Sequence, residues 1–228
     1  MAKIGVVLSG CGFLDGSEIH ESVFTLLHIA ELGHEAVCMA PNIDQTQVIN
    51  YLTKEEMKEK RNVLTEAARI TRGKIKDIKT VRADDLDALI FPGGFGAAKN
   101  LSTFAAKGAG CEVNPDVSAL AKAIHAQGKP IGVICISPAV LAKIFEGSHL
   151  QLTIGNEASV AKQIELLGQQ HVVCDVTDVC LDSKHKIVST PAYMYDKPIH
   201  QVAAGVAKLV KSVAEFIEKS KQTMPVKP

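Results

Sequence analysis

The chain has 228 residues, enough for one full α/β core and short for two, and its 25 Lys and Arg balance 25 Asp and Glu. Zero net charge argues against an electrostatic footprint for nucleic acid or for an anionic membrane surface, and 4% aromatic residues without a Trp leave no base-stacking platform. No apolar run reaches the roughly 20 residues that a membrane-spanning helix needs.

The first apolar run, residues 4–8, reads as a strand. It is preceded only by Met1-Ala2-Lys3, with no signal-peptide or Arg-rich transit pattern, which sets the expectation of a cytoplasmic chain. The loop from Ser9 to Glu18 carries Gly10, Gly12 and Gly16, loosely like a dinucleotide fingerprint. The acidic residue required at the end of the second strand is missing, because the chain there reads Cys38-Met39-Ala40-Pro41-Asn42. NAD binding is therefore rejected, and the glycines read as a tight turn that leaves room at the sheet edge. A helix over 18–32 follows. Asp15 and Glu18 have capping-box spacing, so Glu18 has a structural reason to be there. Glu21 has none, and from the first turns of the helix it would point toward the carboxyl edge of the sheet.

After a strand at 35–39, residues 41–84 exceed what a crossover needs. They hold the charged run Thr53 to Arg61 and a helix-forming run from Asn62 to Ile70. The segment is expected to be a helical insertion, either a solvated excursion or a lid or subunit contact using Val48, Ile49, Tyr51 and Leu52. The strand at 88–91 ends in Phe91-Pro92-Gly93-Gly94-Phe95-Gly96, whose glycines let backbone N–H groups approach a ligand. A helix over 116–127 precedes the strand at 131–134. That strand runs into Cys135-Ile136-Ser137-Pro138, a strand-to-helix turn opening a helix at 138–145. Cys135 sits where open α/β sheets bind ligands, and the helix N-terminus favours its thiolate. Taken alone, the segment fits a buried small hydrophobe equally well. Further strands are expected at 151–154, 172–175, 179–181 and 187–189, the last three as a small antiparallel addition. Helices are expected at 158–167 and 198–219. The six cysteines contain no C-x-x-C pair, so neither a disulfide framework nor a metal site is expected. No repeat or low-complexity linker interrupts the alternation, and the reading is one domain over 1–228 with the insertion at 41–84. A thiol, a carboxyl and free amides thus converge at one sheet edge.

Several strings carry a family resemblance. Pro92-Gly93-Gly94, Lys99-Asn100-Leu101-Ser102 and Val133-Ile134-Cys135-Ile136-Ser137-Pro138, with Glu21 upstream, resemble the PfpI superfamily of class I glutamine amidotransferase-like proteins. Ser9-Gly10-Cys11-Gly12, Asp15 to Glu21, Pro92 to Leu101 and Thr190-Pro191-Ala192-Tyr193-Met194 are similar to the enhancing lycopene biosynthesis protein ElbB family, over about residues 3–215. The resemblance implies a flavodoxin-like three-layer α/β sandwich with a mainly parallel sheet. It implies Cys135 as nucleophile and Glu21 as the assisting carboxyl, with Gly93, Gly94, Ile136 and Glu18 around the substrate and the amides of Gly94 and Ile136 as oxyanion donors. It also implies a homodimer, and neither cofactor nor metal.

The chain departs from the superfamily's proteases at the residue after the cysteine, where Ile136 replaces a histidine; the next strand offers none either. Cys-His hydrolysis needs that base, so protease or amidotransferase activity is disfavoured. His20 is a weak substitute, and His125, His171, His185 and His200 read as surface. The resemblance implies instead a cofactor-independent glyoxalase acting on small 2-oxoaldehydes, in which Glu21, beside a thiolate, is protonated near neutral pH. The alternative is a non-catalytic redox-sensing or binding protein linked to isoprenoid metabolism.

Overall fold

The computed structural model describes residues 1–223. In chain order its elements are β1 (Lys3–Val7), α1 (Ile19–Glu31), β2 (Glu35–Ala40), α2 (Val63–Ile70), β3 (Lys76–Asp77), β4 (Ala88–Phe91), α3 (Phe95–Lys99), α4 (Phe104–Lys107), α5 (Pro115–Ala126), β5 (Ile131–Ile134), α6 (Ser137–Ile144), β6 (Gln151–Leu152), α7 (Ala158–Leu166), β7 (Gln170–His171), β8 (Cys180–Asp182), β9 (Ile187–Thr190) and α8 (Ile199–Thr223).

Seven strands form one sheet in the order β3-β2-β1-β4-β5-β9-β8. Every pairing in it is parallel except β8 with β9. The apolar runs of β4, β5 and β9 are buried along their whole length, as strands covered on both faces must be. α8 packs on α1, β5 and β9, while α5 packs on α6, β4 and β5, giving a three-layer, flavodoxin-like sandwich. The order reverses around β1, so the carboxyl ends of β1, β4 and β5 lie side by side where such sheets open a crevice.

Three expectations about elements need correction. The run at 187–189 is no peripheral hairpin strand: as β9 it is a parallel member of the main sheet, and only β8 is antiparallel. Residues 172–175 form no strand: after Val172 N donates to Leu152 O at 2.8 Å the chain leaves the sheet, and Asp175 accepts from Thr177 N at 3.0 Å and closes a turn. Gln151–Leu152 pairs with Gln170–His171 in a separate two-stranded sheet.

The charged run at 53–61 is also not helical. It forms turns and one isolated bridge, Ile49 with Glu56, and the helix begins only at Val63, where the Asn62 side chain caps Thr65 N at 3.0 Å. The insertion is pinned to the core loop by Asp15, whose carboxylate accepts from Ile49 N and from Tyr51 Oη, each at 2.8 Å. Asp15 therefore takes no part in capping α1.

Candidate active site

Cys135 follows β5 immediately, at φ 60°, a left-handed conformation that a non-glycine residue adopts only under constraint from its surroundings. The constraint is visible: Cys135 N donates to Thr190 O at 2.9 Å, and Ser137 Oγ donates to Pro92 O at 2.8 Å. The turn displays the thiol at the sheet edge while leaving it 7% exposed.

Glu21 reaches the same point from α1 and is fully buried. α1 starts at Ile19, with Glu18 as its N-cap, accepting from Glu21 N at 2.7 Å. Glu18 is thus the cap itself rather than the third residue of a capping box. It also lines the cleft beside Cys135. The Glu21 carboxyl accepts from Gly93 N at 2.8 Å and from Tyr193 N at 3.3 Å, and lies beside the Cys135 side chain across Gly93. The backbone amides of Gly94 and Ile136 lie beside Cys135 in the cleft lining and pull against the rise of its pKa. Gly93 belongs here because nothing larger fits: a Cβ would overlap that of Cys135 and sit 2.6 Å from Glu21 Oε2.

Burial governs the ionisation of this pair. It lifts the Glu21 carboxyl to about 8, with the nearby charge of Glu18 adding to the shift. Burial also raises the Cys135 thiol, and an ionised Glu21 raises it further against the pull of the two amides. The expectation that the helix terminus alone would hold a thiolate is therefore corrected: desolvation at a buried turn outweighs it. Near neutral pH both groups keep their protons, and the pair shares one charge once the first is lost.

Above the thiol opens a cleft of about 850 Å³. Its walls are mainly apolar (Phe13, Phe95, Ile136, Val160, Tyr193, Met194, Tyr195), with Glu18, His20, Glu157 and Asp196 among them. Sequence reasoning brought Cys135, Glu21, Glu18, Gly93, Gly94 and Ile136 to one place, and they meet there. It assigned no role to the wall formed by Tyr193 to Asp196, although Thr190-Pro191-Ala192-Tyr193-Met194 had stood out as a string. His20 lies in the cleft, its Nδ1 2.9 Å from Tyr193 Oη, rather than against the thiol. Of the histidines read as surface, His185 is half-buried and paired with Asp182 at 2.8 Å, and His125 stacks on it. The insertion at 41–84 contributes no residue to the cleft but supports its wall, since Tyr51 packs edge-on against Phe13 with ring centroids 5.7 Å apart. Among the described residues no group of three or more His, Cys, Asp or Glu is arranged to hold a metal ion.

No protein-family model matches the sequence. A curated human protein, glutamine amidotransferase-like class 1 domain-containing protein 3, mitochondrial, is 43% identical over 228 residues, covering 96% of this chain and 84% of its own length. The crystal structure of an isoprenoid biosynthesis protein with an amidotransferase-like domain from Ehrlichia chaffeensis superposes with a TM-score of 0.90 at 33% identity, covering 95% of this chain and all of that one. A point mutant of DJ-1 from Schizosaccharomyces pombe shares the fold, with a TM-score of 0.58 at 18% identity over 98% of this chain and all of its own.

Proposed function

Because the chain belongs to the glutamine amidotransferase-like class 1 family, with the DJ-1/PfpI fold, we propose that it is a cofactor-independent glyoxalase converting glyoxal or related 2-oxoaldehydes to hydroxy acids. Within the family we assign it to the ElbB group, on the strings quoted above. The observation that carries the activity is that the Cys135 side chain and the fully buried Glu21 carboxyl pack against the same point at Gly93, at the base of an open cleft with no histidine beside the sulfur.

In the proposed reaction the Cys135 sulfur adds to one carbonyl carbon. An S–C bond forms and the carbonyl π bond breaks; the protonated Glu21 gives its proton to the carbonyl oxygen and the thiol proton passes to solvent, leaving Glu21 ionised. The amides of Gly94 and Ile136, which line the cleft beside Cys135, face the developing oxyanion. The ionised Glu21 then removes the remaining hydrogen of that carbon as a proton while the second carbonyl oxygen takes a proton from solvent, giving an enediol; Glu21 returns its proton to the second carbon as the first oxygen loses its own to solvent, so the first carbon is oxidised to a thioester as the second is reduced to an alcohol. Water then hydrolyses the thioester, releasing the hydroxy acid and the free thiol. Glu18 fixes the start of α1 and hence the position of Glu21.

The test is steady-state glycolate formation from glyoxal. Cys135→Ala and Glu21→Gln should each fall at least ~100-fold. Wild-type rates in Cys135→Ala would end the proposal. A cytoplasmic location and a homodimer belong to the proposal too, the first set against curated relatives named as mitochondrial.

A further inference from the structure

The cleft wall holds a tyrosine and a histidine that the proposed chemistry does not use. Tyr193 is tied to the site at both ends. Its backbone N donates to Glu21 Oε1 at 3.3 Å, and its Oη lies 2.9 Å from His20 Nδ1. The same His20 nitrogen is 3.9 Å from Glu18 Oε1, and the other Glu18 oxygen accepts from Glu21 N at 2.7 Å. Glu21, Tyr193, His20 and Glu18 therefore form a closed circuit of contacts, and the last three line the cleft together with Cys135. The His20 ring packs against Phe24 and Tyr193, with ring centroids 6.2 and 5.8 Å away, yet its side chain is 50% exposed.

We propose that Tyr193 and His20 are a proton relay for the second carbonyl oxygen of the substrate, with Tyr193 as the donor and His20 as its link to solvent. The inference rests on the glyoxalase reading, in which that oxygen gains a proton as the enediol forms. Glu21 cannot supply it, because in the same step Glu21 is taking the carbon-bound hydrogen. With a hydrogen on Nδ1, His20 donates to Tyr193 Oη and leaves the phenol hydrogen free for a ligand. Burial, with the charges of Glu18 and Glu21, raises the Tyr193 phenol, so it keeps that hydrogen at neutral pH. A tyrosine hydroxyl in an apolar site is a suitable donor to an oxygen that gains charge as a neighbouring carbon is deprotonated.

The steps balance, and the relay itself is neither oxidised nor reduced. As Glu21 takes the hydrogen of the first carbon, the pair left behind forms the carbon–carbon double bond, and the second carbonyl π pair moves onto its oxygen. That oxygen takes the Tyr193 hydrogen, Tyr193 takes the Nδ1 hydrogen of His20, and His20 Nε2 takes a proton from solvent. One proton has entered from solvent and one has reached the substrate. The ring then returns to its first tautomer by exchange with solvent, which its exposed face allows.

The arrangement gives His20 a use that its position in the sequence conceals. Side chains one residue apart on a helix diverge by roughly 100°, so His20 cannot follow Glu21 to the thiol. Tyr193 spans that divergence, with its backbone on one residue and its hydroxyl on the other. The turn before it is constrained to do so: Ala192 holds φ 45°, a left-handed conformation without a glycine.

The experiment is steady-state glycolate formation from glyoxal at pH 7 in wild type, Tyr193→Phe and His20→Ala, with and without added imidazole, over a Cys135→Ala background. Tyr193→Phe removes only the hydroxyl and keeps the backbone contact with Glu21. It should lower kcat by at least ~100-fold and leave KM unchanged, as loss of a contact made only in the transition state does. His20→Ala should lower kcat on the order of tenfold or more, and imidazole should restore it, entering where the native ring is half exposed. Imidazole should do nothing for Tyr193→Phe. Rescue is the readout that a merely structural contact would not give, and His20→Ala carries it even if Tyr193→Phe does not fold. Wild-type kcat in Tyr193→Phe would overturn the relay and leave the glyoxalase reading standing, as would a loss in His20→Ala that imidazole does not reverse. Background glycolate from the wild type would instead overturn the glyoxalase reading, and the relay with it.

Discussion

The amide of Gly93 donates to Glu21 Oε2 at 2.8 Å, joining residues 72 positions apart at the point where the carboxyl meets the Cys135 thiol. The loop after β4 thus orients the proton carrier directly, and the absence of a side chain at 93 is what allows the approach. Gly93→Ala should displace Glu21 or Cys135, with a loss of glyoxal turnover of at least ~100-fold and a destabilisation of about 1–3 kcal/mol from overpacking. Turnover and urea unfolding of the variant check both; wild-type turnover would mean that the pair tolerates separation.

Glu21 should also leave a signature in stability against pH. Its folded pKa, about 8, lies above the 4.5 of an ordinary glutamate, so the folded protein holds a proton that the unfolded chain releases. Its contribution to stability is therefore fully present below about 4.5 and is lost as pH rises through about 8, with a slope of up to ~1.4 kcal/mol per pH unit. Glu21→Gln should gain on wild type by a few kcal/mol between pH 5 and pH 8. Urea unfolding at the two values measures this, and a constant difference would mean that Glu21 is ionised throughout.

The cleft is far larger than glyoxal and mostly apolar, so an aldehyde with a hydrophobic body should be preferred. Burying a phenyl ring against Phe13, Phe95 and Met194 is worth roughly 2 kcal/mol, which should favour phenylglyoxal over glyoxal in kcat/KM by at least tenfold. Equal values would indicate that the apolar wall does not contact substrate.

How much of this was legible in the sequence follows from the range of each interaction. Uninterrupted apolar runs mark β1, β4 and β5, and their alternation with helical patterns orders their ends, so Cys135, Gly93, Gly94 and Glu21 could be brought to one edge from the chain alone. Asp15 could not be read correctly, because its partners Ile49 and Tyr51 are more than 30 residues away and the local capping spacing offered a plausible substitute. The strand expected at 172–175 had the right composition, but Asp175 is drawn into a turn by its contact with Thr177. The wall from Tyr193 to Asp196 depends on a tight turn after β9, with Ala192 at φ 45°, that no local glycine announces.

The proposed homodimer rests on less of the insertion than its composition suggested. Val48 is buried within the chain and Tyr51 is bonded to Asp15, leaving Leu52, 95% exposed, as the apolar residue of that segment most available to a partner. Light scattering at micromolar concentration should give twice the 24.4 kDa chain mass, and Leu52→Asp should weaken the association. A monomeric mass for the wild type would refute the dimer.

Above all, Cys135 should turn aldehyde over rather than react with it once. The most direct measurement is the number of glycolate molecules formed per protein molecule from excess glyoxal, in chelator-treated wild type and in Cys135→Ala. The expected count grows steadily past one in the wild type and stays at background in the variant. A wild-type count that stops near one, with Cys135 left modified, would contradict catalysis by this site.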